Sequence, residues 1–175
     1  MGAVSRALLL VDVLKDFEHE DGDRLLADFR ERHGALVRAL TEARADGRIV
    51  AYANDAPESR EADAAAIVRG AVEGKAGELV RELLPEPGEL FVVKPGYSGF
   101  HRTELAKLLR ERGPTALDVA GTATEMCVFQ TATDAVRLGF DVRVLANACA
   151  SVDDRHEALA LGYLEQVLGV SVTRG

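Results

Sequence analysis

A single-domain, three-layer α/β fold, doubly wound around a mostly parallel sheet, is predicted for this chain by three observations. Its strands read as nearly continuous apolar runs, such as Arg6-Ala-Leu-Leu-Leu-Val-Asp12, the mark of strands covered on both faces. Segments with apolar residues at helical spacing lie between those runs. A glycine recurs where helix gives way to strand, at Gly47, Gly113, Gly139 and Gly169, the position at which helices commonly end. Repeated strand-helix-strand units with right-handed crossovers build such a sheet.

Arg6–Asp12 is the most apolar run and is expected at the sheet centre. Leu26, Phe29, His33, Leu36, Val37 and Leu40 follow at helical spacing, and Gly47 separates them from a strand over Arg48–Ala53. From Asp55 to Gly88 the pattern loosens. An Ala/Glu/Arg-rich helix, the break Gly74-Lys-Ala-Gly77 and a second helix ending at Pro85-Glu-Pro-Gly88 form a stretch suited to cover a site. A strand over Glu89–Lys94 stops at Pro95-Gly96, a helix spans Thr103–Arg112, and Thr115–Ala120 reads as the next strand. Val128, Ala132, Ala135 and Val136 then mark a helix, and strands over Phe140–Ala146 and Val170–Thr173 complete the pattern.

With 175 residues and 47% hydrophobic content, residues 1–175 form one domain able to bury a core without disulfides. The net charge of −8, with no basic run, argues against nucleic acid and against an anionic membrane surface. No apolar run approaches the roughly 20 residues that span a bilayer. Two cysteines, Cys127 and Cys149, and an N-terminus without a basic stretch leading into an apolar one give the expectation of a reduced, cytoplasmic protein.

Ligands of open α/β sheets bind beyond the carboxyl ends of the strands. Asp12, Asn54, Asp55, Lys94, Asn147 and the turn before Cys127 are expected there. Cys127 follows a Gly/Thr-rich strand-to-helix turn, Gly121-Thr-Ala-Thr-Glu-Met-Cys127, with Thr122 or Thr124 as the expected cap. N–H groups at a helix start favour a thiolate and later hold an oxyanion, so the Cys127 pKa is expected below the free value of about 8.5. By residue type alone a free Cys is a packed small hydrophobe, and strand-end Asp and Lys residues are commonly capping or surface ion-pair groups. As a set they make chemical sense: Lys94 favours the thiolate, while Asp12 accepts the thiol proton and returns it to a leaving amine.

The chain resembles the isochorismatase-like cysteine hydrolases over nearly its whole length. The resemblance rests on Val11-Asp12 with Asp16-Phe17, on Lys94 with Tyr97-Ser-Gly-Phe100 and Thr103-Glu-Leu105, and on Gly121-Thr-Ala-Thr-Glu-Met-Cys-Val-Phe-Gln-Thr-Ala132. It implies a catalytic triad of Asp12, Lys94 and Cys127. It also implies a cis peptide at Thr122–Ala123 and an oxyanion hole from the N–H groups of Ala123 and Cys127. Phe17, Asn54, Tyr97, Phe100 and Met126 are the expected substrate contacts. Relatives of the nicotinamidase type hold a metal through Asp and His after the second strand, whereas Asn54-Asp-Ala-Pro-Glu58 contains no His; no metal and no cofactor are expected. Relatives that hydrolyse isochorismate itself do not use the thiol. Cys127 therefore favours the branch that cleaves C–N bonds in small amide or carbamoyl (ureido-type) compounds. Vinyl-ether hydrolysis through Asp12 and non-catalytic small-molecule binding are the alternatives. A homo-oligomer is expected from the resemblance and from the short apolar edge at Val170–Thr173.

The remaining histidines and the second thiol read as structural or surface groups, apart from His101. His33 lies on an apolar helix stripe, His19 is in the acidic stretch Glu18–Asp21, and His156 opens a helix. Cys149 packs as a small side chain. His101, beside Phe100, has an equal claim on substrate contact. The Gly/Thr turn has the spacing of neither a dinucleotide fingerprint nor a Walker loop.

Overall fold

A computed structural model describes residues 5–56 and 63–175. Its elements run β1 Arg6–Val11, α1 Gly22–Ala45, β2 Val50–Asp55, α2 Ala64–Glu73, α3 Gly77–Arg81, β3 Leu90–Lys94, α4 Leu105–Arg112, β4 Ala116–Thr122, α5 Phe129–Arg137, β5 Asp141–Ala150, α6 Asp154–Gln166 and β6 Ser171–Thr173. The strands form one sheet in the order β3-β2-β1-β4-β5-β6, every neighbouring pair parallel, with helices flanking it. β1 is an interior strand, and Ala7–Val11 are wholly buried, as its uninterrupted apolar run requires.

From β1 the chain winds outward through β2 to the β3 edge, then returns to place β4 on the other side of β1. The winding direction thus reverses between β1 and β4, and a ligand crevice opens beyond their carboxyl ends. Gly121 lets the two strands approach there. Its φ is +133°, and a Cβ at this position would lie 1.9 Å from the Val11 carbonyl oxygen.

Two sequence expectations need correction. β5 runs on to Ala150 because its pairing with β4 is irregular: Val119 pairs with Val144, but Gly121 pairs with Cys149. Asn147 therefore lies within a strand and lines a separate cavity of ≈ 330 Å³ with Arg32 and Glu157, away from the edge where Asp12 sits. Second, neither Thr122 nor Thr124 caps the helix after β4. Thr122 Oγ1 donates to the Asp12 carbonyl at 2.8 Å and Thr124 Oγ1 to the Ala150 carbonyl at 3.1 Å, and Ala123 occupies the cap position without a side-chain cap.

Candidate active site

Asp12 immediately follows β1 and adopts a left-handed φ of +49°. The turn is held by its own N–H, which donates to the Ala53 carbonyl at 3.0 Å, and by its carbonyl, which accepts from Thr122. The carboxylate is fully buried. Its Oδ1 accepts the Asp55 N–H at 2.8 Å, and its Oδ2 lies 2.8 Å from Lys94 Nζ. Lys94 is the last residue of β3, so its stem must cross the end of β2 to reach Asp12, a span of two inter-strand spacings or about 10 Å less the reach of the aspartate. The ammonium also donates to the Gly96 carbonyl at 2.9 Å and lies 3.5 Å from Cys127 Sγ.

Cys127 sits in a π-helical turn, Thr124–Val128, that precedes α5. The Ala123 carbonyl accepts the N–H groups of Met126 at 3.1 Å and Val128 at 3.2 Å, the residues on either side of the cysteine. The Thr122–Ala123 peptide is cis. Glu125 ties this turn to the segment after β5, accepting from Ser151 Oγ at 2.9 Å and from the Val152 N–H at 3.0 Å.

Burial governs the electrostatics. It pushes the Asp12 carboxyl above its ordinary range, with the charge of Asp55 adding to the effect and Lys94 and Lys15 opposing it. Burial also works against the charge on Lys94, but the charges of Asp12 and Asp55 outweigh it and hold the ammonium. The Cys127 thiol is pushed up to about 12, first by burial and then by the Asp12 charge, with Lys94 pulling the other way. This corrects the sequence expectation of a thiolate. Cys127 is only 8% exposed, and its cation is shared with a carboxylate that sits closer to it, so the resting group is a thiol.

The cluster forms the floor of an open cleft of ≈ 1300 Å³, with Lys94, Ala123 and Cys127 among its lining residues and Tyr97 and Met126 on its wall. The other three expected substrate contacts pack inward. Phe17 is fully buried against Phe29, ring centroids 5.2 Å apart. Phe100 stacks on Phe140 at 6.1 Å. Asn54 is buried and donates to the Leu14 carbonyl at 2.8 Å. His101 is exposed but does not border the cleft, whereas the next residue, Arg102, does. Lys15 was also missed; it reaches the cleft and pairs with Asp55 at 3.6 Å. The one sequence signal for it is a cation three residues after a buried carboxylate.

A metal of the nicotinamidase kind does not fit the donors present among the described residues. Asp55 is paired with a lysine, and among the described residues no cluster of three or more His, Cys, Asp or Glu side chains is suited to a metal. Pro57 and Glu58 lie outside the described residues.

The isochorismatase domain family matches residues 6–174. An isochorismatase family protein of Bacillus subtilis, PncA, is 32% identical, the match covering 97% of this chain and 99% of that protein. Among solved structures, the nicotinamidase of Staphylococcus aureus superposes with a TM-score of 0.77 at 28% identity, covering 98% of this chain and all of that one. The N-carbamoylsarcosine amidase of Thermoplasma acidophilum gives a TM-score of 0.73 at 26% identity, covering 97% and 96%. A doubly wound sheet with Asp12, Lys94 and Cys127 gathered at its reversal, matched end to end by this family, makes the chain a member of the isochorismatase family of hydrolases.

Proposed function

We propose that the protein is a cysteine-dependent amidohydrolase acting on the C–N bond of a small amide or ureido compound, without a cofactor. One observation carries this reading: a single buried ammonium contacts both the Asp12 carboxylate and the Cys127 sulfur at the floor of the cleft.

The thiol is not ionised at rest, so its proton must leave as sulfur attacks. Asp12 is the acceptor at hand, and its raised pKa suits it both to take that proton and to return it. Sulfur then bonds to the substrate carbonyl carbon, and the oxyanion that forms rests on the N–H groups of Ala123 and Cys127. Collapse breaks the C–N bond, and the nitrogen leaves with the proton from Asp12. A water deprotonated by Asp12 next adds to the thioester, expels the Cys127 sulfur and frees the acid, with the proton passing back to sulfur. Lys94 keeps Asp12 anionic between proton transfers and offsets negative charge on sulfur during attack.

Cys127→Ala and Cys127→Ser test the reading. Each should abolish turnover of an amide panel and leave the circular dichroism unchanged. Full activity in Cys127→Ala removes the thiol from the chemistry and leaves Asp12 as the acid of a vinyl-ether hydrolase. No product from the wild type with any amide, alongside ligand-induced thermal stabilisation, identifies a binding protein.

A further inference from the structure

Among the described residues the charged groups of the cleft are matched in pairs, with one exception. Lys94 faces Asp12 at 2.8 Å, Lys15 faces Asp55 at 3.6 Å, and Asp21 faces Arg24 at 3.7 Å. Arg102 also lines the cleft, and among the described residues it has no carboxylate within ion-pair distance. In a chain whose net charge is −8, an unmatched guanidinium is not a consequence of excess positive charge.

Its backbone is held in place. Arg102 has φ of +55°, a left-handed conformation that a non-glycine residue adopts rarely and that recurs at functional sites. Short hydrogen bonds surround it: Thr103 Oγ1 donates to the Gly99 carbonyl at 2.6 Å, the His101 N–H to the Ser98 carbonyl at 3.2 Å, and the Gly99 N–H to Thr131 Oγ1 at 2.9 Å. Thr103 Oγ1 also accepts the Leu105 N–H at 3.3 Å, so the loop is fixed to the start of α4 and to α5, and Arg102 lies eight residues after Lys94 on the same connection. The same cleft is lined by the apolar groups of Val93, Pro95, Tyr97 and Met126. A fork of N–H donors in a cleft that also offers apolar surface binds a carboxylate in bidentate fashion.

We infer that the cleft selects anionic substrates, with Arg102 binding a carboxylate carried by the same small molecule whose amide or ureido carbonyl is presented to Cys127. The inference rests on the amidohydrolase reading for the reaction, but its binding component stands apart from it. Arg102 is a specificity-determining residue and takes no part in bond making or breaking.

The test compares molecules that differ only in the charged group: 3-ureidopropionate against propylurea, and succinamate against butyramide. Wild-type kcat/KM should favour the anionic member of a pair by about 10–100-fold, the range for a hydrogen-bonded charge pair. Arg102→Gln should collapse that ratio towards one, mainly through KM of the anionic member, and Arg102→Lys should retain part of it. Equal rates within each pair, or a ratio unchanged in Arg102→Gln, overturns the inference and leaves the amidohydrolase reading intact. If no compound is hydrolysed, calorimetry of 3-ureidopropionate and propylurea on the Cys127→Ala protein decides the matter. Tighter binding of the anion, lost in the Cys127→Ala/Arg102→Gln protein, sustains the inference while the hydrolytic reading fails. Binding without preference, or none, overturns it.

Discussion

Replacing Asp12 by Asn should make Cys127 more reactive towards an alkylating agent while abolishing hydrolysis. The Asp12 charge helps push the thiol up to about 12. Lys94 Nζ is 2.8 Å from Asp12 Oδ2 and 3.5 Å from Cys127 Sγ, so carboxylate and sulfur are no more than about 6 Å apart. At that separation and an effective dielectric near 20, the repulsion is about 3 kcal/mol, equivalent to about a hundredfold in thiolate population. A more acidic thiol is a weaker nucleophile, which offsets about half of the gain on a logarithmic scale. Iodoacetamide should therefore label Cys127 about tenfold faster in Asp12→Asn than in wild type at pH 8, read by peptide mass spectrometry. Asn tolerates the left-handed φ of this position and retains an acceptor for the Asp55 N–H. Turnover should nevertheless be lost, because the amide accepts no proton. Slower labelling of Cys127 in Asp12→Asn would refute the argument that the Asp12 charge holds the proton on sulfur. Retained turnover would refute its role as base.

Lys94→Ala should slow Cys127 alkylation and, by leaving a buried carboxylate unpaired, cost about 3–5 kcal/mol of stability; the Asp12→Asn/Lys94→Met double variant should regain most of that in chemical denaturation but no turnover. In wild type the alkylation rate of Cys127 should still be climbing at pH 9.5, since a thiol with a pKa of about 12 gains thiolate tenfold per pH unit below that value; a plateau near pH 8 would contradict this. Dialysis against a chelator should leave the rate unchanged, because Asp55 is committed to Lys15; loss of activity restored by zinc would count against it. Light scattering at micromolar concentration should give a multiple of the 18.8 kDa chain mass, the exposed α6 residues Leu159 and Tyr163 supplying apolar surface in addition to the β6 edge; a monomer mass would overturn this.

The sheet was legible because burial on both faces leaves an uninterrupted apolar run, and the positions of Asp12 and Lys94 followed because a charge ending such a run is conspicuous. Less legible was what decides side-chain direction within a loop. Phe17 and Phe100 have the composition of a ligand wall, yet each finds an aromatic partner in the core, Phe29 and Phe140. Arg102 gave no periodic signal at all, since its placement depends on a left-handed turn held by contacts to Thr131 of another helix. The thiol pKa departs from its sequence expectation for a related reason: charge near Cys127 can be read from residue types, but the depth of burial cannot. The irregular β4–β5 pairing was likewise invisible and carried Asn147 away from the site.

Lys94 belongs to β3, which pairs with β2 and, among the described residues, has no strand on its other side. Edge strands are among the first elements to open locally, at free energies below that of global unfolding. When β3 lifts, the ammonium leaves Asp12 and Cys127 together, while β1, β2 and β4 keep their pairing and the dichroism barely changes. Mild heat or dilute denaturant should then silence the enzyme reversibly before the fold melts. The Lys94–Asp12 contact works against that release, fastening the outermost strand to the centre of the sheet across the end of β2.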